Sequence, residues 1–413
     1  MVDAEAVERA VARLDGVTRR TPLERNDRLS LLVGADVYLK REDLQAVRSY
    51  KLRGAYNFLV GLDDAQRAAG VVCASAGNHA QGVAFACQAL GVDGRIHLPR
   101  TTPRQKRDRI AALGGSAVTV LIEGDNYDEC AALALADADR SGRILVPAFD
   151  DEHIIAGQGT VAAEAVAQLG RAPDVFIAPV GGGGLLAGSA AWLRERHPGA
   201  HLVGVEPAGA ASMTLALATG RPTPVGRLDG FVDGAAVRQA GALTYALIRD
   251  ARAQVVSVEE GAVCTEMLEL YQSDGIIAEP AGALATAALG RVFRPAAGAV
   301  VVCVVSGGNN DVSRYAEVVE RSLVHEGRKH YFLVDFPQEP GALRRFLDDV
   351  LGADDDITLF EYVKRNNRET GPALVSIEIP DASELHGLLV RMAESPMSCE
   401  RVEPDSPLFR FLV

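Results

Sequence analysis

The sequence predicts an open α/β fold of mostly parallel strands, continued at the C-terminus by a smaller α+β unit. Two patterns carry this reading. From roughly Val37 to Cys303, short apolar β-branched runs alternate with helical stretches, the pattern of a sheet covered by helices on both faces. After Val305 that alternation stops, and a new strand-helix series begins at Lys329. A chain of 413 residues also exceeds one ordinary core, so two or three folding units are expected.

The chain opens on Met1-Val-Asp-Ala-Glu-Ala-Val-Glu-Arg-Ala10, a charged amphipathic helix. Strands are expected at Val37–Lys40, Gly70–Ala74, Arg95–Pro99, Ala117–Ile122, Asp174–Pro179, Leu202–Glu206 and Ala299–Val305. Most are followed by Gly or Pro and then by a helix. The unusual residues therefore gather in loops at strand carboxyl ends, where open α/β sheets bind ligands. A charged helix over Arg314–Gly327 ends this part, giving a first domain at 1–325 and a second at 326–413. The second reads as strand Lys329–Pro337, helix Gly341–Leu351 opened by Pro340, strand Asp356–Val363, a turn over Asn366–Pro372, strand Ala373–Ile379, helix Ala382–Glu394 and a last strand near Leu408–Leu412. A β-α-β-β-α-β order within about 85 residues is a ferredoxin-like sandwich.

Composition narrows the function classes. Hydrophobic residues make up 48% and charged residues 23%, so packed structure is expected nearly throughout. A net charge of -13 opposes nucleic acid or an anionic membrane surface as partner. The N-terminus lacks the basic-then-apolar pattern of a signal peptide, and no apolar run reaches about 18 residues, so a cytoplasmic protein is expected. The six cysteines form no C-x-x-C pair and no metal-ligand spacing, and read as reduced core residues. No metal site is expected.

Four strand-end loops hold the chemistry. In Lys40-Arg-Glu-Asp-Leu-Gln-Ala-Val-Arg-Ser-Tyr-Lys51-Leu-Arg-Gly54, a helix starts near Lys51. The positive end of the helix dipole and desolvation both favour the neutral amine that a Schiff base needs, although a solvated surface lysine explains the position alone at least as well. In Ala74-Ser-Ala-Gly-Asn-His-Ala-Gln-Gly82, backbone N–H groups at a helix start suit a carboxylate or phosphate. A tight turn capped by Asn78 accounts for Gly77 and Asn78, but not for Ser75 and the run of small residues. Pro179-Val-Gly-Gly-Gly-Gly-Leu185 carries more glycine than a turn requires and reads as a phosphate cradle, though it is neither a Walker motif nor G-x-G-x-x-G. Val305-Ser-Gly-Gly-Asn-Asn310 puts a serine at a strand end, as a partner for a ring nitrogen or as a helix cap. Glu279-Pro-Ala-Gly-Ala283 is a weaker signal of the same kind.

These motifs, in this order and spacing, resemble the threonine dehydratases (threonine ammonia-lyases) of the tryptophan-synthase-β-like group of pyridoxal-phosphate enzymes, over nearly the whole chain. Serine racemases and serine dehydratases share single motifs. Phe336-Pro-Gln-Glu-Pro-Gly-Ala-Leu343 with Asp356-Ile-Thr-Leu-Phe-Glu-Tyr362 resembles the ACT-like regulatory domain of the biosynthetic dehydratases. One such unit fits here, where longer members carry two. Tyr50 stands where Phe is more usual, and Gly308-Asn309-Asn310 departs from the usual Ala-Asn after the serine.

The resemblance implies two catalytic subdomains, the smaller at roughly 48–145, and pyridoxal 5'-phosphate as cofactor. It implies that Lys51 forms the Schiff base and that Gly181, Gly182, Gly183, Gly184 and Leu185 hold the phosphate. Asn78 would contact the ring hydroxyl, Ser306 would face the pyridine nitrogen, and Ser75, Ala76, Gly77, Asn78 and His79 would bind the substrate carboxylate. A neutral hydroxyl at the ring nitrogen makes a weaker electron sink, which favours quick loss of a β-substituent. The implied reaction converts L-threonine to 2-oxobutanoate and ammonia, the entry to isoleucine synthesis. Isoleucine or valine would regulate it, in a homodimer or homotetramer. A serine/threonine dehydratase or serine racemase is the alternative within the superfamily, and a non-catalytic amino-acid sensor is the alternative outside it.

Overall fold

The computed structural model describes residues 2–364, 368–403 and 406–412. The backbone divides into two compact units, Met1–Asp311 and Val312–Val413.

The first unit holds two sheets. In the larger, the strands run in the order Leu23–Arg25, Asp36–Arg41, Val300–Val305, Val175–Pro179, His201–Pro207, Gln254–Val258. Only the Leu23–Arg25 edge is antiparallel. The smaller sheet is parallel throughout, in the order Val118–Ile122, Gly94–Leu98, Val71–Ala74, Ile144–Leu145. All the expected strands are present, with ends moved by a residue. Leu23–Arg25, Ile144–Leu145 and Gln254–Val258 were not expected: the first two are too short to show a period, and the third, an edge strand, has polar residues at Gln254 and Ser257 that fit neither an apolar run nor strict alternation.

Burial explains the sequence of the central strand. Val301 through Val305 are all fully buried, which is why the run is continuously apolar rather than alternating. Each such side chain contributes about 1.5–3 kcal/mol through burial. The chain passes from the larger sheet to the smaller through helix Lys51–Val60 and returns through helix Glu152–Leu169. These helices approach closely because both carry glycine at the contact: a Cβ on Gly54 would lie 2.2 Å from Gln158 Nε2, and one on Gly157 would lie 2.6 Å from the Arg53 carbonyl oxygen. Helix Ala4–Leu14 starts where the Asp3 side chain accepts the Ala6 N–H at 2.7 Å.

The second unit begins with helix Tyr315–His325 and contains one antiparallel sheet, ordered Asp356–Tyr362, Thr370–Glu378, Lys329–Pro337, Ser398–Arg401. Helices Ala342–Asp349 and Leu385–Glu394 bury Phe346 and Leu388 in the same core as Phe332, Val375 and Ile377. The β-α-β-β-α-β order is as expected, but its last strand is not Leu408–Leu412. That segment contains helix Phe409–Leu412, and the fourth strand is Ser398–Arg401, paired with Phe332–Asp335. Apolar residues at 408–412 suggested a strand, yet the Lys329–Pro337 edge is already occupied, and Ser406 Oγ accepts the Phe409 N–H at 3.1 Å to start a helix instead. The expected turn at Asn366–Pro372 falls in part on residues 365–367, outside those described.

Within this unit a cavity of ≈ 330 Å³ lies between the Pro337–Gly341 loop and the sheet. Phe336, Phe360 and Tyr362 give it an apolar wall, while Glu339, Arg344 and Lys364 supply charges. Five of the six cysteines are buried, Cys399 is half-buried, and all are free thiols.

Candidate active site

All four loops singled out in the sequence leave the carboxyl ends of parallel strands in the first unit. Asp36–Arg41 leads to Lys51, Val71–Ala74 to Asn78, Val175–Pro179 to the glycines, and Val300–Val305 to Ser306. One cavity brings Lys51, Asn78, Gly181 and Ser306 together. The remaining expected residues, Ser75, Ala76, Gly77, His79 and Gly182 to Leu185, continue the same loops.

Lys51 is the first residue of helix Lys51–Val60, and its Nζ donates to the Ala148 carbonyl at 3.0 Å. Burial pulls its amine from 10.5 down to about 8, against the opposing pull of Glu279. A sizeable neutral fraction at physiological pH follows, the form required of a nucleophile.

What holds that helix start in place is a buried ionic network. Arg53 Nε and Nη2 each donate to Glu42 at 2.8 Å, Nη2 also reaches Glu164 at 3.0 Å, and Nη1 reaches Thr160 Oγ1 at 3.2 Å. Lys40 donates to Glu164 at 2.5 Å, to the Thr21 carbonyl at 2.7 Å and to Gln168 at 2.9 Å. Burial alone would raise the Glu42 carboxyl, but Arg53 and Lys40 outweigh it and hold the group below its usual value. Two cations and two carboxylates thus tie the strand before Lys51, its helix and helix Glu152–Leu169 into one rigid base.

The glycine loop forms a cradle. Helix Gly184–Arg196 begins directly after it, and Gly183 has φ +93°, a backbone that other residues rarely adopt. Among the described residues, the N–H groups of Gly182, Gly183, Gly184 and Leu185 meet no protein acceptor. Side chains are excluded there as well: a Cβ on Gly182 would lie 2.2 Å from the Phe149 ring. Free amides at a helix N-terminus, with no room for side chains, suit the phosphate of pyridoxal phosphate.

Asn78 is not the helix cap that a simple turn would need, since Gly77 occupies that position. Its side chain instead donates to Glu279 Oε1 at 2.5 Å and accepts from Asn309 Nδ2 at 2.7 Å. Ser75 Oγ accepts the Gly77 N–H at 3.2 Å. The His79 ring is buried against the Val146 carbonyl at 3.1 Å, and burial with Lys51 nearby depresses its pKa to about 3, so it stays neutral. Ser306 is buried and donates to the Ala281 carbonyl at 3.2 Å.

Two cavity residues lie outside the motifs read from the sequence: Gly234 and Ala235. The Asp233-Gly234 pair is a turn signal that draws attention to its loop, but nothing local ties that loop to the lysine. Among the described residues, no group of three or more His, Cys, Asp or Glu side chains is placed to hold a metal, and no helix is long and apolar enough to cross a membrane.

Residues 14–307 match the family model of pyridoxal-phosphate-dependent enzymes, and residues 320–412 match the C-terminal regulatory domain of threonine dehydratase. The chain is 60% identical to the L-threonine dehydratase biosynthetic IlvA of Mycobacterium tuberculosis (strain ATCC 25618 / H37Rv), over 98% of this chain and 95% of that one. It is 46% identical to the Bacillus subtilis protein of the same name, over 100% and 98%. Among solved structures, the processed form of threonine deaminase isoform 2 from Solanum lycopersicum aligns with TM-score 0.73 and 37% identity, over 78% of this chain and 88% of that one. Maize serine racemase aligns with TM-score 0.72 and 29% identity, over 78% and 98%.

Proposed function

Because the chain belongs to the pyridoxal-phosphate-dependent enzymes and, within them, to the biosynthetic threonine dehydratases, we propose that it deaminates L-threonine to 2-oxobutanoate and ammonia. The observation that carries the reading is the shared cavity, where a half-buried lysine with lowered basicity meets loops from three other strand ends.

Each residue then has a task. Lys51 Nζ would hold the cofactor and, with its amine free, would take the α-proton of threonine as base. The amides of Gly181 to Leu185 would receive the phosphate, Asn78 would meet the ring hydroxyl and Ser306 would meet the ring nitrogen. The Ser75–His79 turn orients the substrate carboxylate through its backbone, which places the α-carbon for Lys51. When bound, pyridoxal phosphate supplies a conjugated ring that withdraws electrons from the substrate α-carbon. Loss of the β-hydroxyl and hydrolysis of the released enamine give 2-oxobutanoate and ammonia, which feed isoleucine synthesis.

We assign the cavity of the second unit to an aliphatic amino-acid effector, isoleucine or valine. Its aromatic wall suits the side chain, Arg344 and Lys364 suit a carboxylate, and Glu339 suits an ammonium. An effector acts only by binding one conformational state better than another. We further assign the catalytic domain to 1–325, with an inserted subdomain at 48–145, and the regulatory domain to 326–413. A cytoplasmic homodimer or homotetramer completes the proposal.

The test is a 2-oxo acid assay with threonine and with serine, with and without isoleucine. Threonine is expected to be the better substrate and isoleucine to inhibit. Absence of 2-oxobutanoate from threonine would refute the activity, and kinetics untouched by isoleucine and valine would refute the effector assignment.

A further inference from the structure

The carboxylate of Glu279 lies at the end of a hydrogen-bond chain whose direction is set by a backbone carbonyl. Val47 O can only accept, so the amide nitrogen of Asn309 must face it, at 2.8 Å. The second N–H of Asn309 then points at Asn78, which must present its oxygen, at 2.7 Å. That turns the Asn78 amide nitrogen toward Glu279, which accepts at 2.5 Å. One N–H of Asn78 is left over, on a side chain that lines the Lys51 cavity.

Glu279 is built in as the last acceptor. It is 5% exposed, and its own N–H donates to the Gly307 carbonyl at 3.1 Å. Gly307 leaves room for it, because a Cβ there would lie 2.1 Å from Glu279 Oε1. The Asn309 N–H also donates to the carboxylate, and Asp233, Lys106, Lys51 and Tyr50 are the charged and titratable groups that face it. Burial and then Asp233 raise its pKa to about 7. A surface capping carboxylate would show none of this.

We propose that Glu279 is a positioning residue for the cofactor: as terminal acceptor of the Val47–Asn309–Asn78 chain, it locks the Asn78 amide so that its remaining N–H is presented to the ring hydroxyl. The assignment rests on the pyridoxal-phosphate reading of the cavity. Without the acceptor, Asn78 keeps only its Asn309 contact and is free to swing about it. The ring hydroxyl then loses a preorganised donor, which weakens cofactor binding by about tenfold.

The test is a double-mutant cycle on the cofactor-loaded protein, read by the dissociation constant of pyridoxal phosphate and by the pH midpoint of its absorbance band near ~410 nm. Glu279→Ala is expected to weaken binding about tenfold and to move the midpoint. Glu279→Gln, which keeps an accepting oxygen of the same reach but not the charge, is expected to restore most of the affinity while leaving the midpoint displaced. In the Asn78→Ala background, Glu279→Ala should add no further loss of affinity. An undiminished additional loss in that background, or a Glu279→Ala protein indistinguishable from the unsubstituted one, overturns the proposal. Failure of the underlying reading looks different: the unsubstituted protein would form no band with added cofactor, or Lys51→Ala would leave the band intact.

Discussion

Raising the pH on the cofactor-free protein tests the state of Lys51 directly. Burial lowers its amine from 10.5 to about 8, and only the neutral amine attacks an aldehyde. At pH 7 about one chain in ten then carries the neutral form, against roughly one in 3,000 for a lysine at its ordinary value, a ratio of about 300. The sign is that of a depressed cationic group: the neutral form dominates above about 8 and is lost as pH falls through that value. Reconstitution with pyridoxal phosphate, followed by stopped-flow absorbance near ~410 nm, should therefore speed up about fivefold from pH 7 to pH 8 and less than about twofold more by pH 10. Glu279 opposes the depression, so Glu279→Gln should move the midpoint to lower pH. A rate that keeps climbing about tenfold per pH unit beyond pH 9 would refute the reasoning, because it would mean an amine at its ordinary basicity.

Two further perturbations test the scaffold around that amine. Gly182→Ala forces the Phe149 ring aside, because the new Cβ would lie 2.2, 2.3 and 2.4 Å from three of its ring carbons. Overpacking of this kind costs about 1–3 kcal/mol, so titration should show cofactor affinity reduced by about five- to hundredfold. The control Gly199→Ala, which meets open space, should bind normally. Arg53→Met keeps the volume but strands Glu42 without its bidentate partner, so denaturant unfolding should show a loss of about 3–5 kcal/mol in the first unit. Pairing it with Glu42→Gln should recover part of that loss, whereas full additivity would mean that the two groups are not coupled.

How much of this was legible beforehand follows from how local each feature is. Burial on both faces writes a continuous apolar run into strands such as Val300–Val305, so the α/β class and the strand positions are present in the chain itself. A glycine excess after Val175–Pro179 and a lysine at a helix start are also local, because backbone amides and helix ends lie within a few residues of each other. The C-terminal segment was misread because a strand needs a free edge, and whether Lys329–Pro337 still offers one is not written in residues 408–412. Partner identity is non-local in the same way. Glu279 and Asn78 stand 201 positions apart, and Lys51 and Ala148 stand 97 apart. The sequence by itself determined the family, the fold class and the loops that hold the chemistry. The tertiary structure alone decided which side chains meet, how far burial lowers the basicity of Lys51 and which way the Asn78 amide faces, since each depends on packing between segments that no local pattern connects.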